Sequence, residues 1–240
     1  TLSLKVNDQP VTVYIHHERR KNSRVSIGKT GIHIRLPKAL PKKVQQQHVE
    51  QFMQWAGQTL KKKPHLLIPK QKHVWQTGDT LTAVDQPFTL HITEIDRKTA
   101  AAKVQGQQLI IKLPMGTTGS ERAELLTRSM SRALAAHFYP YFWERLNAIN
   151  NRYYQKQLNG LKLKYTTSRW GSCSTKGNIN LSTRLLLAPQ AVRDYIMVHE
   201  LAHLIHANHS KAFWQEVARV MPGYREQERW LKDNGRACDF

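Results

Sequence analysis

The chain has few cysteines, few acidic residues and no long apolar run. Its two cysteines, Cys173 and Cys238, are too isolated to predict a disulfide framework, which favours a reducing compartment. No apolar stretch approaches the ~20 residues that cross a bilayer. The N-terminus lacks the charged-then-apolar pattern of a secretion signal. These absences predict a soluble, cytoplasmic protein and argue against membrane and disulfide-rich secreted proteins.

The shortage of acidic residues leaves a strong positive charge. There are 37 basic residues against 17 acidic ones, a formal net charge of +20. The densest basic clusters are Arg19-Arg20-Lys21 with Arg24, Lys42-Lys43 and Lys61-Lys62-Lys63. This excess favours contact with nucleic acid, nucleotides or ribosomes. A solvated face, or a helix C-terminus that attracts cations, explains the three lysines at least as well.

The first part of the chain, residues 1–119, is predicted to be a β-rich domain with one helix. Apolar residues alternate at strand period, and a helical pattern runs from Pro41 to about Leu60. The segments 32–37 and 109–114 resemble each other, and each precedes a helix. This similarity indicates either a duplicated strand-to-helix unit or the residues that commonly separate a strand from a helix. The predicted strands cover residues 2–6, 11–15, 24–27, 32–36, 81–83, 88–95 and 109–113.

The second part, residues 120–240, is predicted to be the catalytic domain, giving an α+β fold class overall. A capping pattern precedes a helix over residues 120–138, which Pro140 is expected to interrupt. Strands at 162–167 and 178–182 are expected to form a hairpin before the next helix. An edge of that hairpin could pair with an extended peptide, or the strand could be paired inside the sheet.

The segment His199-Glu200-Leu201-Ala202-His203 carries the chemistry. Two histidines four residues apart on a helix lie about 40° apart around the axis and about 6 Å apart along it, so both can bind one metal ion. Glu200 projects beside that metal, where a carboxylate can take a proton from a zinc-activated water. The same pattern also occurs on helices that bind nothing, with the histidines making ordinary hydrogen bonds.

A zinc site needs a third protein ligand, and several residues follow closely. His206 lies about 10 Å further along an ideal helix than His199, too far to share its ion. A chain reversal after Asn208 would bring His209 back over the helical pair, and Glu216 is the alternative. Three histidines would leave a fourth position for water, as in a catalytic site. We expect Cys173 to be a small buried apolar residue and not a soft metal ligand.

Five parts of the second half of the chain form a recognisable set: 169–173, 177–181, 185–189, 199–203, and 208–210 with 213–214. Together these segments resemble the YgjP-like metallopeptidase family, a bacterial relative of the SprT and Spartan zincins. The resemblance implies a zincin-like catalytic domain of helices and a β-hairpin. It also implies zinc on His199, His203 and His209, with Glu200 as the base. Family members are described as peptidases, and a nucleoside triphosphate pyrophosphohydrolase activity is also associated with them.

We therefore expect a zinc hydrolase, with a peptide or protein as its first expected substrate. One of His206, Tyr195, Arg184 or Tyr224 would stabilise the developing oxyanion. The second hypothesis is metal-dependent hydrolysis of nucleoside triphosphates, of the UTP pyrophosphatase type. The third is a basic nucleic-acid-associated protein with a structural metal site.

Overall fold

The computed structural model describes residues 2–7, 9–28, 30–62 and 73–240. Within these ranges the chain forms five α-helices and three β-sheets, which confirms the predicted α+β class. Its contacts divide the chain into two compact units, residues 1–71 and 72–240. Among the described helices, none combines the length and apolar character that crossing a membrane requires.

The first unit is one sheet with one helix. Val13, Ile32 and Ile34 are fully buried because every second residue of β2 and β4 faces the helix. Ala56 and Leu60 of the helix complete this core. The sheet order is β1-β2-β4-β3, and β2 and β4 run parallel. The elements are β1 (Leu2–Val6), β2 (Gln9–Glu18), β3 (Arg24–Gly28), β4 (Gly31–Pro37) and α1 (Lys42–Lys62).

The second unit begins with a four-stranded sheet that has the same topology as the first. Its order is β5-β6-β8-β7, again with a parallel central pair between antiparallel outer pairs. A long helix follows it, as α1 follows the first sheet. The two similar segments, 32–37 and 109–114, therefore lie in corresponding strands of two sheets that have the same strand order. The elements are β5 (Thr80–Ala83), β6 (Gln86–Ile95), β7 (Ala101–Gln105), β8 (Gln108–Pro114) and α2 (Gly119–Tyr153).

The rest of the second unit carries the metal-binding motif. A three-stranded sheet of order β10-β11-β9 leads through a 3-10 helix (Thr183–Leu187) into α3. One hydrophobic core joins this part to α2 and to the strands β5, β6 and β8. The elements are β9 (Gly160–Lys164), β10 (Gly171–Cys173), β11 (Asn178–Ser182), α3 (Gln190–Ala202), α4 (Lys211–Val220) and α5 (Tyr224–Asn234).

The division at 71/72 places β5 to β8 in one unit with α2 and α3, with which they share a core. The functional domains 1–119 and 120–240 stay a prediction. Two other predictions from the sequence differ from this structure. Pro140 lies inside the continuous helix α2, where buried Phe138 and Phe142 keep the apolar stripe in phase across it. The segments 160–164 and 178–182 pair in parallel, and the hairpin forms between β10 and β11 instead.

Candidate metal centre

Helix α3 carries His199 and Glu200 and ends at Ala202, with His203 as its C-cap. Packing holds this helix in place, because all but one of the residues from Val192 to Ala202 are buried. His203 keeps right-handed helical backbone angles, so the four-residue spacing still places its ring beside that of His199. The two ring centroids lie 5.1 Å apart.

His209 reaches the same point from the loop between α3 and α4. The Ser210 side chain caps α4 by accepting a hydrogen bond from the Phe213 N–H, which fixes the end of this loop. His209 Nε2 then lies 3.0 Å from His199 Nε2. One nitrogen from each of His199, His203 and His209 falls within 4.8 Å of the other two. The structure therefore brings together the three histidines that the sequence predicted as ligands.

The Phe213 ring supports all three imidazoles. It is fully buried, and its centroid lies 4.9 Å from that of His199, 4.6 Å from His203 and 4.8 Å from His209. Trp214 stacks on His209 from the side, with 5.8 Å between centroids. Because aromatic contacts restrict how a ring can turn, these two residues hold the histidines in their converging orientation.

The donor set fits a zinc ion. Tetrahedral zinc with nitrogen ligands at about 2.1 Å needs nitrogens about 3.4 Å apart. The 3.0 Å between the His199 and His209 nitrogens is within a few tenths of an ångström of that separation. The His203 Nδ1 lies 3.1 Å from the carbonyl oxygen of His206, an arrangement that directs its other nitrogen to a metal. Burial, then the neighbouring His203 and His209, lower the pKa of His199 to about 4. His199 is therefore neutral at pH 7, as a metal ligand must be.

Glu200 is buried beside this cluster, with 4% of its surface exposed. Strand β10 passes directly over its carboxylate: a Cβ added at Gly171 would lie 2.8 Å from both Cγ and Cδ of Glu200. Burial raises the pKa of Glu200 to about 7, and the positive charge of Arg169 opposes that rise. Its Oε2 is buried with no hydrogen-bond partner among the described residues. The geometry leaves this oxygen able to exchange a proton with a substrate or water.

A small basic pocket is lined by Gly171, the residue that packs against Glu200. Its volume is about 110 Å³, and Lys164 and Arg169 provide its positive charge. None of its lining residues is acidic, and hydroxyl and amide groups supply the remaining polar surface. Such a pocket suits an oxyanion of about the size of a phosphate or carboxylate group. The other lining residues are Thr166, Gly171, Ser172, Asn180, Leu181 and Ser182.

The alternative ligands from the sequence lie elsewhere. Glu216 forms an ion pair with Arg219, at 2.6 Å, and that guanidinium lowers the pKa of the carboxyl. His206 contributes its backbone carbonyl to His203, and it is absent from the cluster of described side chains that could hold a metal. Cys173 is half-buried on β10, where burial and then the Glu200 charge raise its pKa to about 11. A thiol with such a pKa remains protonated at neutral pH.

The four residues proposed to stabilise an oxyanion differ in whether they lie near the three histidines. Arg184 is buried and donates to the backbone carbonyls of Gly235 and Cys238, so it holds the C-terminal segment. Tyr195 packs 6.0 Å from His199, between ring centroids, and Tyr224 stacks on Trp214. Tyr195, Tyr224 and His206 therefore lie around the cluster, whereas Arg184 is already engaged by the fold.

Sequence reasoning missed two residues that shape this site. Phe213 belongs to an apolar stripe, and its position 14 residues after His199 gave no signal that it lies beneath three histidines. Gly171 lies 29 residues before Glu200, and only the packing of β10 on α3 brings the two together. A glycine inside a strand does indicate close approach of another group, which was the one available signal for Gly171.

Comparison with known proteins gives partial matches of sequence and of structure. The chain is 34% identical over 73 residues to a UTP pyrophosphatase of Escherichia coli (strain K12). That match spans 30% of the chain and 44% of the length of the relative. Two crystal structures of metallopeptidase zymogens each match 38% of the chain, with TM-scores of 0.35. They are abylysin of Pyrococcus abyssi, 27% identical with 93% of its chain covered, and jannalysin of Methanocaldococcus jannaschii, 19% identical with 94% covered.

The family assignment comes from a match over most of the chain. The YgjP-like metallopeptidase domain matches residues 21–234, which include the three histidines, Glu200 and Gly171. This confirms the resemblance read from the five sequence segments. The chain belongs to the YgjP-like family of metallopeptidase domains.

Proposed function

We propose that this protein is a zinc-dependent peptidase, with zinc held by His199, His203 and His209 and with Glu200 as the general base. The observation that carries the proposal is the convergence of three imidazoles beside a buried carboxylate. Three neutral nitrogen ligands are a donor set that zinc hydrolases use, with one coordination position left for chemistry. When bound, zinc supplies the Lewis acidity that activates water and polarises the scissile carbonyl.

Glu200 would move the proton in this reaction. Its Oε2 faces no hydrogen-bond donor among the described residues, so the carboxylate is free to accept a proton from the attacking water. The same carboxyl group then protonates the nitrogen of the leaving amine. Burial, which raises the pKa of Glu200, favours the protonated carboxyl group that must hold this proton before passing it on.

The position of β10 supports a peptide substrate. Within the described sheet, β10 is an edge strand that pairs only with β11. Its first residue, Gly171, lies against the carboxylate of Glu200. An extended peptide paired with the free edge of β10 would therefore run past the general base. Such pairing uses backbone groups alone and would accept many sequences.

Replacing Glu200 by glutamine tests the assignment. The zinc-loaded variant is expected to keep one zinc per chain and to lose 10²- to 10⁴-fold in kcat on quenched fluorogenic peptides, the range typical of a lost general base. Glu226→Gln, at an exposed position of α5, is the matched control and should keep full activity. A Glu200→Gln protein with zinc bound and undiminished turnover would exclude this role.

The basic pocket favours hydrolysis of nucleoside triphosphates as a second candidate function. Lys164 and Arg169 could hold a phosphate group near Glu200, and the partial relative is named a UTP pyrophosphatase. Incubation with each nucleoside triphosphate, followed by assay of phosphate and pyrophosphate, separates the two functions. Under the second function, Arg169→Gln should raise KM for the nucleotide, and exposed Lys176→Gln should leave it unchanged. If peptides are cleaved and neither phosphate nor pyrophosphate is released, the second function is excluded and the peptidase function is supported.

A further inference from the structure

The first unit gathers most of its positive charge at one edge. Residues 1–71 hold 14 Lys and Arg against three Asp and Glu, a formal excess of 11. In the sequence these cations form separate clusters around Arg19 and Lys42. The fold places both clusters at the edge where the parallel strands β2 and β4 end, because parallel strands end on the same side of a sheet.

Hydrogen bonds join the segments that form this edge. The Lys38 N–H donates to the Glu18 carbonyl at 3.1 Å, which ties the end of β4 to the end of β2. His17 contacts Gln45 at 2.9 Å, and Ser23 contacts His48 at 2.7 Å, so the first turns of α1 lie beside the loop after β2. We call this surface the basic edge, formed by residues 16–24, 35–38 and 42–48.

The basic edge holds eight cations and one carboxylate. Glu18, the carboxylate, pairs with the two partly buried arginines, Arg20 and Arg35. The other six cations are exposed, and none has an ion pair among the described residues. A surface with this excess of unpaired positive charge attracts a polyanion partner. The six are Arg19, Lys21, Arg24, Lys38, Lys42 and Lys43.

The surroundings of the edge indicate which polyanion fits. None of the large exposed hydrophobic residues in the described chain belongs to it, so it offers no apolar anchor for a lipid surface. On the adjoining sheet face, Tyr14 and His16 each stack on His33, with centroids 5.0 and 5.4 Å apart. Because these rings contact one another, they leave less open surface for the unpaired bases that single-strand binders stack.

We propose that the basic edge binds the phosphate backbone of a nucleic-acid duplex. A duplex has the densest linear charge of the candidate polyanions, and its backbone is contacted without reading bases. The six exposed cations would each neutralise about one phosphate. This binding is independent of the metal centre, so its failure would leave the proposed hydrolase unaffected.

Fluorescence anisotropy of a labelled DNA duplex of about 20 base pairs tests the proposal with the full chain. For six phosphate contacts, the logarithm of the binding constant should fall with the logarithm of salt concentration at a slope of about −5. A variant with Arg19, Lys21, Lys42 and Lys43 changed to Gln should lose three to four units of that slope. The matched control changes Lys61, Lys62, Lys162 and Lys176 to Gln, removes the same charge from residues that do not form the basic edge and should keep the slope.

Several results would overturn the proposal. Equal losses in the two quadruple variants would show that net charge alone drives binding. Tighter binding to the single strand, or binding to anionic phosphatidylserine vesicles in place of the duplex, would assign a different partner. Photocrosslinking of the unmodified protein to the duplex supplies a check that needs no variant. Crosslinked peptides should come from residues 16–48, and crosslinks confined to other segments would contradict the assignment.

Discussion

Replacing Gly171 by alanine should disable Glu200 without removing the zinc ligands. The new Cβ would lie 2.8 Å from Cγ and Cδ of Glu200, whereas ordinary contacts begin near 3.4 Å. Because Glu200 is buried, its carboxylate cannot swing into solvent and must shift by several tenths of an ångström or more. A misplacement of about 1 Å in a catalytic group can cost about 10²-fold in rate, or about 2.7 kcal/mol of transition-state stabilisation.

The assay compares kcat/KM on the cleaved peptide with zinc content and thermal stability for each variant. Gly223→Ala is the control, since a Cβ at that position meets nothing within 4 Å. A Gly171→Ala protein that binds zinc and keeps kcat/KM within twofold of the unmodified chain would refute the reasoning.

Three further predictions concern the ligands, their support and the nearby thiol. His209→Ala should lose the stoichiometric zinc in metal analysis, whereas Glu216→Gln should keep it; the reverse result would make Glu216 the third ligand. Phe213→Ala should lower the free energy of unfolding in urea by about 3–5 kcal/mol, and a loss below 1 kcal/mol would contradict its central packing. Cys173, with its pKa raised from 9.0 to about 11, holds about 100-fold less thiolate at pH 8.5 than an ordinary cysteine. Its alkylation in chelator-treated protein should keep accelerating up to about pH 11, and a plateau near pH 9 would contradict the burial.

The metal ligands could be predicted because their geometry is mostly local. His199 and His203 are one helical turn apart, and any helix with this spacing brings them together. His209 reaches the pair only through a chain reversal, which Asn208 before it indicated in the sequence. The helix α3 nevertheless ends at Ala202, earlier than the position of Asn208 suggested. The ion pair of Glu216 with Arg219 could also be read from their three-residue spacing, yet its effect on ligand choice required the structure.

Contacts between distant elements could not be predicted from the same patterns. Alternation predicted strands at 162–167 and 178–182, of which the first is observed at 160–164, but it carries no information on whether two strands pair in parallel. Pro140 lowers helix propensity locally, and packing of the long apolar face of α2 overrides it. The basic edge likewise depends on the parallel pairing of β2 with β4, which brings together cations that are separate in the sequence.

The most direct measurement of the proposed metal centre is anomalous X-ray scattering at the zinc edge from crystals of the zinc-loaded protein. We predict one anomalous peak per chain, about 2.1 Å from a nitrogen of each of His199, His203 and His209, with the Glu200 carboxylate beside it but not bound to it. A peak coordinated by Glu216 or Cys173, or the absence of a peak between the three histidines, would contradict the assignment.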